Sequence, residues 1–93
     1  MPRNWVRLAA DGLAVEGPCL VHSIIFTPGG SDQYVNVYDG RDATAGKLFA
    51  EVIAKSEETR SVSLGQGVRF DRGVYVDVQD PGDAVTIVFT PLE

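Results

Sequence analysis

The 93-residue sequence contains one cysteine, one histidine, one tryptophan and one methionine. A single thiol, Cys19, cannot close an internal disulfide, so a disulfide-stapled scaffold is excluded and a reducing cytoplasm is the expected place of synthesis. One cysteine and one histidine do not complete a tetrahedral zinc set without added carboxylates. Long apolar runs are missing too. The opening "MPRNWVRLAADG" has no apolar core behind its basic residues, and "CLVHSIIF" is too short to span a bilayer, so no membrane partner is expected. Positive charge is scarce, with eight basic residues against thirteen acidic ones and a formal charge of −5. The lysines and arginines are scattered. A nucleic-acid binder needs a basic stripe to displace counterions from phosphates, and none is expected as a partner here.

What is present is a folded, ordinary composition. A chain of this length makes one domain, residues 1–93, burying roughly 60–65% of its unfolded surface around a single core. Its 44% apolar content argues against disorder. Two-residue periodicity dominates. In "YVNVY", Val35 and Val37 share one side while Tyr34, Asn36 and Tyr38 share the other. Val74, Val76 and Val78 alternate with Tyr75, Asp77 and Gln79; Val85, Ile87 and Phe89 alternate with Ala84, Thr86, Val88 and Thr90. Breakers fall between these runs: "EGP", "TPGGSD", "DGRDATAG", "GQG", "DRG" and "QDPGD".

The pattern predicts strands over residues 4–9, 13–16, 18–27, 33–38, 47–54, 58–64, 67–71, 73–79 and 84–90. For 47–54 a short helix is the alternative, because Leu48, Phe49, Val52 and Ile53 also fit a helical face. The expected fold is all-β, an antiparallel sandwich (jelly-roll or immunoglobulin-like) or a small barrel of about seven to nine short strands. Residues 1–17, with Pro2 and Trp5, form either an edge strand or an amino-terminal arm onto a neighbour.

Each candidate site has a plain structural reading beside it. In "DGRDATAGK", Asp39 and Asp42, with nearby Asp32, are oxygen donors suited to calcium. The alternate spacing and closing glutamate of a calcium loop are missing, and Asp-Gly after an alternating run reads as a turn. Gly65 and Gly67 in "LGQGVRF" lack the third glycine and helix of a phosphate loop, and are expected to separate two strands. His22 has no neighbouring nucleophile and acid in sequence, and alternation puts it on a face with Leu20, Ile24 and Phe26, opposite Ser23. Cys19 reads as a small buried hydrophobe. The carboxylates Glu57, Glu58, Asp71, Asp77, Asp80 and Asp83 fall in polar turns or on outward strand positions, where solvated charge is expected. No catalytic residue, cofactor or metal site is assigned, and the chain is not read as an enzyme. Trp5, Tyr34, Tyr38 and Tyr75 are the candidate partner interface, since tyrosine and tryptophan anchor protein contacts and also stack on sugars; burial of the tyrosines under a second sheet is the alternative.

Taken as one pattern, Glu16 to Pro91 resembles small tailed-phage virion proteins. The shared elements are Gly17, Pro18, Leu20 and Ile24; Val35, Val37, Tyr38, Asp39, Gly40, Ala43, Thr44, Gly46 and Lys47; Val68, Phe70, Gly73, Val74, Tyr75 and Val76; and Ala84 through Pro91. These are turn and strand residues. The resemblance implies a capsid decoration (cement) protein, or a neck or tail component, assembled into the virion in the host cytoplasm. It also implies protein partners, other copies of the chain among them. Asp39 and Gly40 would serve a turn and Gly73 the entry to a strand; no catalytic group is implied. A glycan- or host-surface-binding β module is the alternative.

Overall fold

The structure, a computed structural model, describes residues 4–29, 33–44, 46–55, 58–78 and 83–92. Pro2, Asp32, Glu57 and Asp80 lie outside the described residues. Eight strands are found: β1 (Asn4–Leu8), β2 (Gly12–Glu16), β3 (Cys19–Thr27), β4 (Gln33–Asp39), β5 (Lys47–Ala54), β6 (Arg60–Phe70), β7 (Gly73–Val78) and β8 (Ala84–Pro91). They form two antiparallel four-stranded sheets, the first in the order β1-β8-β3-β6 and the second β2-β7-β4-β5. The chain is all-β, a small β-sandwich. The segment 47–54 is a strand, paired with β4 from Gln33↔Ala54 to Asp39↔Lys47. A helix there would have left the β4 edge without hydrogen-bonding partners.

The pairings have a simple origin. β1 lies against β8, β2 against β7, β3 against β6 and β4 against β5. The chain is thus one long hairpin, doubled back at the loop between β4 and β5 and rolled until β8 meets β3 and β7 meets β4. That is jelly-roll order. The loop "DGRDATAGK" is the closed end of the whole hairpin.

Inward positions meet between the sheets. Val35, Val37, Val74 and Val76 from the second sheet face Val21, Ile24, Phe26, Val85 and Ile87 from the first, all with no exposed surface. Each such side chain stabilises the fold by about 1.5–3 kcal/mol relative to exposure. Along one side of the sandwich Phe49 packs on Phe70 with ring centroids 4.9 Å apart, closing the core between β5 and β6.

Two expectations need correction. Residues 58–64 and 67–71 are not separate strands; they are one, β6. Gly65 and Gly67 take positive φ, 62° and 121°, and throw residues 64–67 into a wide bulge. Pairing with β3 resumes on either side, at Ser23↔Ser63 and Val21↔Val68, leaving only His22 opposite the bulge. The same histidine is the extra residue in the register with β8, between Val21↔Phe89 and Ser23↔Val88. A bulge shifts side-chain parity by one. Hence His22 does not share a face with Ile24 and Phe26, which point into the core; it stays with Leu20 on the outside of the first sheet.

Candidate interaction face

The outward positions of the second sheet build the most distinctive surface. Register places Leu13 beside Tyr75, Tyr75 beside Tyr38, and Tyr38 beside Leu48. One row of apolar and aromatic side chains therefore crosses all four strands from edge to edge. The Tyr38 and Tyr75 rings lie 6.3 Å apart, tilted by 60°, a favourable aromatic geometry. The next row is polar: Asp77, Asn36 and Glu51, again in register. Beyond it Tyr34 pairs with Ile53. Leu48 is 54% exposed, Ile53 61% and Tyr34 39%.

Three of the four expected interface residues thus share one face. The fourth does not. Trp5, 70% exposed, sits on the outside of the first sheet, beside Val88.

Alternation alone misses Leu48 and Ile53 as partners, because their numbers have opposite parity. A bulge at Phe49, where the register steps from Val37↔Ala50 to Tyr38↔Leu48, brings both to the outer face. Leu13 reaches the same face next to another bulge, at Ala14. Only the concentration of large apolar residues in "KLFAEVIA" hints at this exposure.

Acid gathers at the row's border. Asp11 Oδ1 accepts the Val78 N–H at 2.7 Å. Burial, the Asp11 charge and a hydrogen bond with Asp11 push the Asp77 carboxyl above its ordinary range. Burial also raises the Tyr75 phenol, helped by Asp11, Asp77, Asp42 and Tyr38. The face is therefore apolar, aromatic and acidic together.

The remaining candidates resolve into structural parts. Asp39 accepts the backbone N–H groups of Asp71 at 3.3 Å and Arg72 at 3.1 Å, clamping the β6–β7 turn to the β4 end. Gly40 N–H donates to the Gly73 carbonyl at 3.1 Å and Gly46 N–H to the Asp42 carbonyl at 2.9 Å. Gly73, at φ 134°, has the Val15 carbonyl where a Cβ would go. Asp39, Lys47, Asp71 and Arg72 line a half-open cleft of about 220 Å³, in which Asp71 is already paired with Arg69 at 2.7 Å. Asp42 joins the electrostatics around Tyr75.

His22 Nε2 and Thr90 Oγ1 share a hydrogen bond of 2.7 Å, with both residues buried and Nδ1 without a partner. No third group orients the ring for general-base work. A Cβ on Gly67 would stand 3.1 Å from Leu20 Cβ and 3.2 Å from His22 Cε1, so the β6 bulge roofs the histidine. Cys19 points the other way, into the core; burial, then the Asp39 charge, pushes its thiol up to about 11.

Asp83 corrects an expectation. It is not solvated but 1% exposed, and its Oδ1 accepts the Gly29 N–H at 2.6 Å, tying the start of β8 to the end of β3. Among the described residues no group of three or more His, Cys, Asp or Glu side chains is placed to hold a metal ion. No helix among them is long and apolar enough to cross a membrane.

A scan against protein-family models finds no match, and searches of curated proteins and of solved structures find none.

Proposed function

We propose that this chain is a structural protein of a tailed-phage particle, a capsid decoration subunit that docks through the outer face of its second sheet. One observation carries the docking role: the row Leu13–Tyr75–Tyr38–Leu48, flanked by Tyr34 and Ile53, stands outward on a four-stranded sheet. Tyrosine and aliphatic anchors surrounded by polar groups are what protein contact surfaces are made of. The particle as the setting rests on the sequence resemblance. Jelly rolls recur in capsid and lectin domains, which is compatible by fold analogy alone.

Purified particles analysed by mass spectrometry test the setting, with stoichiometric copies expected. Particles without this chain would defeat it, and copies confined to the neck or tail would move the subunit there. Glycan binding is the second reading, favoured by the same tyrosines. Tyr38 and Tyr75, half-buried and mutually tilted, do not offer the flat paired platform that sugar stacking favours. A glycan array that lights up with the native chain and goes dark on Tyr34→Ala would reverse that preference.

A further inference from the structure

We infer that β5 joins two copies of this chain, pairing antiparallel with β5 of the second copy about a two-fold axis at Ile53. The inference goes beyond docking through the tyrosine face and does not depend on what that face binds.

The sandwich has four edge strands: β1, β6, β2 and β5. An open edge presents unpaired backbone groups and is a template for another strand. β1 and β2 are five residues each, and β2 carries a bulge at Ala14 between Asp11 and Glu16. β6 is broken by its glycine bulge. β5 is eight residues long; it too is bulged, at Phe49, but it then runs regularly from Ala50 to Ala54 and on to exposed Lys55. It also holds three of the five exposed large apolar side chains among the described residues, Leu48, Phe49 and Ile53.

The identity of the occupant comes from register. Directly opposed residues of an antiparallel pair must share a face, and like charges opposed are unfavourable. Glu51 and Ile53 face outward with Asn36 and Tyr34, their β4 neighbours; Val52 faces the core. An axis at Glu51 would set carboxylate on carboxylate. An axis at Val52 would set each Glu51 on an isoleucine. An axis at Ile53 sets isoleucine on isoleucine and Glu51 on Lys55 of the second copy, twice by symmetry. Both Glu51 and Lys55 are exposed. This edge is complementary to itself, and the closed two-fold uses up both β5 edges, so the contact does not propagate. The product is an eight-stranded continuous sheet.

Light scattering on the native chain should approach 20 kDa, twice the 10.0 kDa protomer, as concentration rises. Glu51→Lys alone, or Lys55→Glu alone, opposes like charges at two places and should weaken the dimer roughly tenfold or more. Mixing the two variants should restore it as a heterodimer, because each lysine then meets a glutamate. Both sites are exposed, and circular dichroism would verify that the folds match. A native chain that stays monomeric, an oligomer indifferent to either reversal, or variants that fail to recover on mixing would each overturn the inference.

Discussion

The two outer faces of the sandwich obey the same strand alternation and end up with different surfaces. On the first sheet, outward positions are mostly hydroxyl-bearing or charged: Ser61, Ser63, Thr86, Arg7 and Arg69, with Ile25 and Leu20 set between them and His22 and Thr90 bonded to each other under the β6 bulge. Trp5 stands out there beside Val88. On the second sheet an unbroken Leu-Tyr-Tyr-Leu row spans four strands, with acid beside it. A solvated face needs hydroxyls and charges. A docking face needs anchors, and only the second sheet arranges them in a continuous row.

The largest expected effect breaks that contrast directly. Tyr38→Ser with Tyr75→Ser should reduce co-sedimentation with particles assembled without this chain by roughly a hundredfold, as loss of paired hot-spot anchors does. Trp5→Ser should change it far less. Equal losses would erase the distinction between the faces. Next comes the scaffold that both faces share. Asp39→Ala removes the acceptor of two turn N–H groups and should cost about 2 kcal/mol in urea unfolding. Thr90→Val, on the first sheet, removes only the His22 partner and should cost about 1–2 kcal/mol while leaving docking unchanged.

A smaller effect reads the acid on the second face. The Asp77 carboxyl is raised in the folded chain, so the native state holds its proton more tightly than the unfolded state does. Its contribution to stability should therefore rise as pH falls from neutrality toward the ordinary carboxyl value of 3.8. Asp77→Asn should be slightly more stable than the native chain at pH 7 and lose that advantage in acid; a difference between variant and native chain that does not shrink over this window would contradict the carboxylate pair. The smallest effect is chemical. Cys19, buried and raised to about 11 from 9.0, should ignore thiol reagents at pH 8 until the chain unfolds. The same shift takes stability away as pH climbs from 9.0 toward 11, where the unfolded thiol ionises first.

Alternation made much of the fold legible. Val35 and Val37, Val74 and Val76, and Val85 and Ile87 were inward by sequence and are inward in the structure. What alternation could not carry was its own interruptions. Bulges at Ala14, His22 and Phe49 each reset parity, so Leu48 and Ile53 share a face while His22 and Ile24 do not; the bulge at residues 64–67 interrupts β6 but leaves Val62 and Val68 on the same side. Glycine marked the β6 bulge but read as a break, because a positive φ serves a turn and a bulge equally well. Strand order was not legible either, since β1 meets β8 through pairs as far apart in sequence as Asn4 and Phe89. Alternation puts each of the three tyrosines on the polar parity of its own strand; whether another sheet covers them, and their meeting on one face, depended on that order. Asp83 looked like any turn carboxylate until Gly29 arrived beside it.

Hydroxyl-radical footprinting of the free chain and of the chain on assembled particles asks most directly which surface docks. Docking through the second sheet predicts that Tyr34, Tyr38 and Tyr75 lose reactivity on the particle while Trp5 keeps it. Protection of Trp5 with the three tyrosines still reactive would contradict it.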